Sequence, residues 1–292
     1  MKKRKSLKKT MMANNDIVCI KAFAKVNLTL EVLGMRNDGF HELRSVVMPI
    51  SLYDEIEIAK DSVISCDSGI EGDLMERAAK LLDIPGCRMH IKKNIPLGGG
   101  LGGGSADAAA VLIALNDLYR LGLNRETLAQ LGAKIGSDIP ALVYRQAVIM
   151  EGRGEIVTPL FAADEHCPRL YLVLANPRIH CETKEVFKKV ISRVTNAGEI
   201  LYNMRTSLLG GNAEHVAKWL WNDLESPAIK LHPAIGELKE RLENMPSVYG
   251  SLMSGSGSSV FGIVASRDAA DEVAKEMRSL GYDAWSVYTI VR

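Results

Sequence analysis

The chain has 292 residues, 47% of them hydrophobic, and its formal net charge is +1. That length accommodates two domains of ordinary size or one large one, and the balanced charge disfavours a dedicated nucleic-acid surface. No run approaches the roughly 18 apolar residues of a membrane span. Five scattered cysteines without a CxxC pair favour a reducing compartment over a disulfide framework or a zinc site. We therefore expect a cytoplasmic protein with no nucleic-acid and no membrane partner.

The first ten residues carry six lysines and arginines and no acid, so the rest of the chain has five more acidic than basic residues. This tail is similar to the start of a signal peptide, but residues 11–16 stand where an apolar region is required. We predict a basic, disordered extension over residues 1–16, or an alternative start near Met11 or Met12. A nucleic-acid binder led by the tail is the alternative, and it would lose its function on deletion of residues 1–12.

Apolar periodicity predicts a strand-rich N-terminal half with several helices. Alternation at Val26, Leu28 and Leu30 marks a strand, and Asn37-Asp38-Gly39 supplies the turn residues of a hairpin. The predicted strands are residues 17–24, 26–32, 43–52, 55–58, 88–92, 148–150 and 155–157, and the predicted helices are residues 73–82, 105–119, 124–135 and one that begins at residue 137.

The periodicity lapses over residues 159–168, and we predict a domain boundary there. An N-terminal domain would comprise residues 17–165 and a C-terminal domain residues 166–292. Beyond the boundary, strands and helices follow in an α+β pattern. The predicted strands are residues 170–174, 249–253, 259–264 and 284–291, and the predicted helices are residues 183–192, 213–221, 233–245 and 269–280.

Residues 98–104 are glycine at six of seven positions and lead through Ser105 into a run of helix formers. Without a Cβ, such a loop can take positive φ angles and turn several N–H groups towards one anion. The helix behind it adds unpaired amides and the positive end of its dipole. We therefore predict a phosphate-binding loop. A flexible linker is the alternative, but a linker would not run at once into an alanine- and leucine-rich helix.

Two known phosphate motifs do not fit this loop. Gly98, Gly100 and Gly103 match the dinucleotide fingerprint, but Asp117 lies within the predicted helix, so no acidic residue follows a second strand. A nicotinamide-dependent oxidoreductase is therefore disfavoured. The Walker motif is excluded, because Gly104 and Ser105 stand where it requires Gly-Lys-Ser/Thr.

Phosphoryl transfer from ATP also needs a cation and a carboxylate that orients the attacking hydroxyl. Lys25 interrupts an apolar strand region, and Asp138 lies in the sequence Gly-Ser-Asp-Ile-Pro at residues 136–140. Each has a structural alternative, because a lysine in a strand is commonly solvated and an aspartate before Ile-Pro is commonly a helix cap. Only the glycine loop makes both residues candidates for catalysis.

Two further features have an open role. The segment Ser-Gly-Ser-Gly-Ser at residues 254–258 either adds backbone donors to the phosphate pocket or simply joins two strands. His41 follows a turn and an aromatic residue, so it is a candidate platform for a ring, although a single histidine is more often structural. No histidine spacing indicates a metal site built by the protein.

Six segments of the chain form a recognisable series. They are residues 24–28 (AKVNL), 36–43 (RNDGFHEL), 96–105 (PLGGGLGGGS), 136–140 (GSDIP), 222–225 (NDLE) and 254–257 (SGSG). In this order they resemble the superfamily of galactokinase, homoserine kinase, mevalonate kinase and phosphomevalonate kinase, which shares the glycine loop and the Ser-Gly-Ser-Gly turn. The block at residues 36–43 resembles the family that phosphorylates the 2-hydroxyl of 4-diphosphocytidyl-2-C-methyl-D-erythritol, in the non-mevalonate route to isoprenoid precursors. A superfamily kinase for homoserine or mevalonate is the alternative.

The resemblance implies a two-domain α+β fold, with an N-terminal nucleotide-binding domain, a ferredoxin-like C-terminal domain and the active site between them. It implies a small-molecule kinase with ATP as the phosphoryl donor and Mg²⁺ held mainly through ATP. The substrate would carry a cytidine diphosphate group. The oligomeric state stays open between monomer and homodimer.

By motif position, the resemblance also implies roles for single residues. Asp138 would be the base on the 2-hydroxyl, and Lys25 its electrostatic partner. The implied substrate contacts are hydrogen bonds from Asn27 and His41, stacking of Phe40 on the cytosine, and contacts of Thr183 and Phe187. The implied ATP contacts are Lys93, Pro96, Leu97, Gly98, Gly99, Gly100, Leu101, Gly102, Gly103, Gly104, Ser105 and Ala106.

Three positions depart from the family pattern. Phe40 stands where the family usually has tyrosine, which keeps the stacking and loses a hydroxyl. Asp73 stands where asparagine is frequent, which would alter a contact with adenine, and Ser259 replaces a common threonine. None of these changes touches the pair of Lys25 and Asp138.

Overall fold

The computed structural model of the chain describes residues 16–69, 73–190 and 198–291. Most of the predicted extension, residues 1–15, lies outside the described residues, as do residues 191 and 192 at the end of one predicted helix. The strands are β1 (Ile17–Met35), β2 (His41–Lys60), β3 (Ser65–Cys66), β4 (Cys87–Lys92), β5 (Val148–Gly152), β6 (Ile156–Pro159), β7 (Tyr171–Asn176), β8 (Trp221–Asn222), β9 (Val248–Met253), β10 (Val260–Val264) and β11 (Asp283–Tyr288). The helices are α1 (Leu74–Ala79), α2 (Gly103–Leu118), α3 (Arg125–Ala133), α4 (Ile139–Tyr144), α5 (Thr183–Phe187), α6 (Glu199–Leu209), α7 (Ala213–Ala217), α8 (Glu225–Leu231), α9 (Pro233–Glu243) and α10 (Arg267–Ser279).

A long antiparallel hairpin of β1 and β2 forms the centre of the first sheet, whose order is β3-β4-β2-β1-β8, with β5 on β2 and β6 on β5. The sequence predicted four separate strands here, and that division is wrong. The register shifts between Phe23 and Lys25 and between Asn27 and Thr29, so β1 continues through bulges. A bulge redirects side chains without ending a strand. Lys25 is thus a residue of a continuous central strand.

Helix α2 packs against this sheet and is buried along most of its length, as its apolar pattern predicts. Its alanines, such as Ala108 and Ala109, are small enough for the helix backbone to approach the strands closely. The helix begins at Gly103, two residues earlier than predicted, because the last glycines of the loop join its first turn. The glycine loop is therefore anchored to the core of the protein.

The second sheet is antiparallel, with the strand order β11-β7-β10-β9. Numbered from β7, this order is 4-1-3-2, that of a ferredoxin-like layer, and the predicted α+β class is confirmed. The predicted helix over residues 213–221 is wrong in its second half, because the chain turns after Ala217 and Trp221 joins β8 of the first sheet. The boundary between residues 165 and 166 stays a prediction. Within the described residues, no helix combines the length and apolar character of a membrane crossing.

Candidate active site

Helix α2 begins directly behind the glycine loop, with Gly102 at its N-cap in the left-handed region at φ +67°. The backbone amides of residues 100–105 donate to no acceptor in the part of the chain that the structure describes. The loop therefore presents free N–H donors at the positive end of a 16-residue helix, as an anion site requires. Ala106 differs, because its amide bonds the Gly102 carbonyl at 2.8 Å and its side chain is buried. It closes the first helical turn, and the ATP contact implied for this residue stays a prediction.

The Ser-Gly-Ser-Gly turn packs against the glycine loop and does more than join two strands. The Ser254 hydroxyl donates to the Gly100 carbonyl at 3.0 Å, and the Ser259 amide donates to the Gly99 carbonyl at 3.1 Å. A Cβ on Gly100 would overlap the carbonyl oxygen of Ser254, so the approach requires glycine. The turn joins β9 to β10, and it thus attaches the loop to the second sheet.

Lys25 and Asp138, far apart in the sequence, lie together beside this loop. Lys25 Nζ is 3.6 Å from Asp138 Oδ2, and a Cβ on Gly102 would lie 3.2 Å from Lys25 Cε and 3.6 Å from the same carboxylate oxygen. Asp138 occupies the N-cap position of α4, but its side chain makes no capping hydrogen bond. The Lys25 side chain is 4% exposed and that of Asp138 is 32% exposed. A buried cation thus faces a carboxylate that a substrate can reach, and the two structural alternatives do not apply.

A chain of hydrogen bonds holds Lys25 from behind. Lys25 Nζ donates to Asn27 Oδ1 at 2.7 Å, and Asn27 Nδ2 donates to Ser45 Oγ at 2.8 Å. The Ser45 hydroxyl in turn donates to the carbonyl of Thr29. Asn27 is only 1% exposed, and both ends of its amide have partners inside the protein. Asn27 is thus placed to orient the lysine, and the substrate hydrogen bond implied for it stays a prediction.

Lys93 lies between two buried aspartates next to the start of α2. Its Nζ is 2.6 Å from Asp54 Oδ2 and 2.6 Å from Asp107 Oδ2. Burial raises the pKa of Asp107 to about 7, and the neighbouring Lys93 charge opposes that shift. An ammonium has three donors, and the Lys93 side chain keeps 23% exposure, so one N–H is left for a ligand near Gly103. The ATP contact of Lys93 is compatible with this position and stays a prediction.

The residues implied for the substrate lie on the β1–β2 hairpin and on α5. The rings of His41 and Phe187 are 5.0 Å apart at an angle of 31°. Thr183 Oγ1 and Ser256 Oγ form a hydrogen bond of 2.8 Å, which ties the start of α5 to the serine-glycine turn. Phe40, beside His41 in the chain, is 52% exposed. An exposed ring next to an aromatic pair can stack on a planar base.

Sequence reasoning missed several polar residues that shape the site. Asp54 falls between two predicted strands and Asp107 within a predicted helix, and polarity next to apolar stretches was their only signal. Asn222, noted only as part of a motif, donates through Nδ2 to the carbonyls of Met253 and Gly255, both at 2.8 Å. It thereby fixes the turn that supports the glycine loop.

Three acids lie close to the glycine loop, and each of them faces a lysine. Within residues 16–69, 73–190 and 198–291, no group of three or more His, Cys, Asp or Glu side chains could hold a metal ion. Asp138 faces Lys25, and Asp54 and Asp107 are both bonded to Lys93. A Mg²⁺ ion here would therefore take most of its ligands from phosphate and water, as it commonly does.

The chain matches two family models, GHMP kinases N terminal domain over residues 72–146 and GHMP kinases C terminal over residues 204–283. A 4-diphosphocytidyl-2-C-methyl-D-erythritol kinase of Citrifermentans bemidjiense is 41% identical over 91% of this chain and 97% of its own. One of Symbiobacterium thermophilum is 38% identical over 93% of this chain and 99% of its own. The crystal structure of a 4-(cytidine 5'-diphospho)-2C-methyl-D-erythritol kinase, 32% identical, covers 93% of this chain and 99% of that chain with a TM-score of 0.79. Streptococcus pneumoniae phosphomevalonate kinase shares the fold, with a TM-score of 0.72. It is 15% identical, and the match covers 94% of this chain and 100% of that chain.

Proposed function

The chain belongs to the 4-diphosphocytidyl-2-C-methyl-D-erythritol kinase family, and we propose that it phosphorylates the 2-hydroxyl of that compound with Asp138 as base and Lys25 as electrostatic partner. The support for these two roles is the position of Lys25 and Asp138 beside the glycine loop. Lys25 Nζ and Asp138 Oδ2 are 3.6 Å apart beside Gly102, where the loop's free amides end at helix α2. An acceptor hydroxyl must stand in line with the transferred phosphoryl group, next to the group that takes its proton.

In the proposed reaction, Asp138 accepts the proton of the substrate's 2-hydroxyl. The oxygen of that hydroxyl attacks the γ-phosphorus of ATP at the same time. The new oxygen–phosphorus bond forms as the bond to the bridging oxygen breaks, and ADP leaves with that electron pair. Lys25 places a fixed positive charge beside the transferred group, whose oxygens share the developing negative charge. Because Asn27 already orients the lysine, little reorganisation is needed during the reaction.

The glycine loop is the proposed ATP phosphate site. Backbone amides over residues 97–105 donate to the phosphate oxygens, Pro96 lies at the start of the loop without an N–H to donate, and Lys93 adds one N–H from the side of β4. ATP carries Mg²⁺, which neutralises part of the β- and γ-phosphate charge. The support for an ion bound mainly through ATP is that the acids beside the loop already face Lys25 or Lys93.

The cytidine diphosphate end of the substrate is assigned to the hairpin and α5. Phe40 stacks on the cytosine through an exposed ring, and without a tyrosine hydroxyl it contributes stacking only. His41 and Phe187, in ring contact, complete the base site, while Thr183 faces the serine-glycine turn between this site and the loop.

We also propose that the enzyme works in the cytoplasm as a monomer or a homodimer. All five cysteines are free, which suits a reducing compartment. The pair of Lys25 and Asp138 is formed within one chain, so the proposed proton transfer does not require a second copy.

An acceptor panel tests this function. We expect ADP release from ATP with 4-diphosphocytidyl-2-C-methyl-D-erythritol, and a kcat/KM lower by at least about 100-fold for the same molecule without its cytidine monophosphate, because the base site then stays empty. Homoserine and mevalonate should give no release above background. Equal rates with or without the cytidine group would contradict the assignment. Deletion of residues 1–12 should leave the activity unchanged, whereas a nucleic-acid binder led by the tail would lose its function.

A further inference from the structure

We propose that Asp54 and Asp107 are positioning residues for ATP binding, which act through Lys93 and through the two ends of the glycine loop. The inference rests on the proposed role of that loop as the ATP phosphate site. Neither aspartate is assigned a contact with the ligand. Both are at least 96% buried, and the structure links each of them to the loop through a different path.

Asp54 fixes the start of the loop. It lies on β2 and is fully buried, and its Oδ1 accepts hydrogen bonds from the backbone amides of Asn94, at 2.5 Å, and Ile95, at 2.9 Å. These are the last residues before Pro96, where the loop begins. Hydrogen bonds from backbone amides to an ionised carboxylate are among the stronger ones in proteins. A single side chain therefore sets the direction in which the chain leaves β4.

Asp107 fixes the end of the loop. It lies in the second turn of α2, whose first amides belong to the proposed phosphate site. Its Oδ2 is 2.6 Å from Lys93 Nζ, and the same Nζ is 2.6 Å from Asp54 Oδ2. Asp54, Lys93 and Asp107 thus form one continuous bridge between the strand before the loop and the helix after it. The bridge also aims the remaining N–H of Lys93.

A role limited to stability explains this cluster less well. Buried ion pairs contribute little to stability compared with apolar side chains of the same volume, since desolvation offsets their attraction. Asp107 Oδ1 is buried and has no hydrogen-bond partner within the described residues, which adds to that cost. The cluster is therefore a poor stabiliser, but it joins the two backbone segments whose separation sets the width of the loop.

The test uses the full chain with Asp54→Asn and Asp107→Asn, each matched to an exposed acid on the same element, Glu55→Gln on β2 and Asp117→Asn on α2. ATP affinity is measured by calorimetry without acceptor, and KM is measured for both substrates, all at about pH 8. We expect both aspartate variants to raise the Kd and KM of ATP by about tenfold or more and the KM of the cytidine substrate by less than about twofold. The controls should match the wild type.

Unchanged ATP affinity in Asp107→Asn, with or without a lower melting temperature, would overturn the inference. If Asp54→Asn does not fold, the ATP affinity of Asp107→Asn alone tests the inference. This variant is expected to fold, because asparagine has the same shape as aspartate and fits the helix. An equal rise in both KM values would also contradict it, since that is the result expected from a general distortion. ATP binding is read without acceptor, so a wild-type chain that binds ATP but ignores the cytidine substrate would refute the proposed function and leave this inference standing.

Discussion

Asp138→Asn should lower kcat by about 10²- to 10⁴-fold while ATP still binds. Asparagine keeps the shape of the side chain and removes the proton acceptor, and a positioned general base contributes a factor of this size. The loss corresponds to about 3–5 kcal/mol of activation free energy, at 1.36 kcal/mol per decade. The measurements are kcat with saturating ATP and cytidine substrate, and the Kd of ATP by calorimetry.

Asp164→Asn is the matched control, because Asp164 is exposed in the loop after β6 and lies outside the proposed site. It should turn over like the wild type. Near-normal kcat in Asp138→Asn would remove Asp138 from the chemistry. A loss of ATP binding equal to the loss of kcat would instead assign the carboxylate to the nucleotide site.

Gly100→Ala should weaken ATP binding by about 10- to 100-fold. Gly100 has a φ of +72°, which costs an L-residue about 1–2 kcal/mol, and its Cβ would overlap the Ser254 carbonyl oxygen. That neighbour is backbone, so no rotamer change relieves the contact. The loop must move away from the serine-glycine turn, and its amides then lose their common direction. The Kd of ATP measured by calorimetry reports the effect.

Gly122→Ala is the control that separates the strain of a positive φ angle from the steric overlap with the Ser254 carbonyl. Gly122 has nearly the same φ, +70°, but nothing lies within 4 Å of a Cβ placed there. This variant should lose about 1–2 kcal/mol of unfolding free energy in urea and keep the ATP affinity of the wild type. If both alanine variants bind ATP equally well, the packing of the turn on the loop does not shape the phosphate site.

The sequence was most informative where structure is decided locally. Six glycines before a run of helix formers predict a phosphate loop at a helix N-terminus, because positive φ angles and unpaired amides are properties of a few neighbouring residues. The α+β class followed from strand and helix periods. The prediction failed at β1, where a bulge near Lys25 resembles a break between two strands. Helix α8 was missed because Pro227 lies in its first turn and hides the periodicity.

Contacts between residues that are far apart in the sequence could not be predicted in this way. The pair Lys25 and Asp138 was a candidate from the sequence, but only the structure shows that Lys25 is buried, that the Asp138 side chain makes no capping hydrogen bond and that the two groups are 3.6 Å apart. The motif implied a substrate contact for Asn27, and only the structure shows that its amide oxygen also accepts a hydrogen bond from Lys25. Asp54 and Asp107 carried no distinctive pattern, since their meaning comes from Lys93, which lies between them in space.

Phosphorus NMR of the full chain incubated with ATP, Mg²⁺ and 4-diphosphocytidyl-2-C-methyl-D-erythritol tests the assigned reaction most directly. We expect the γ-phosphate resonance of ATP to be replaced, in equal amount, by a phosphomonoester that couples to carbon 2 of the erythritol, while the diphosphate bridge to cytidine stays intact. ADP with free phosphate as the only new signals, or a phosphoryl group on another oxygen, would contradict the function derived for this site.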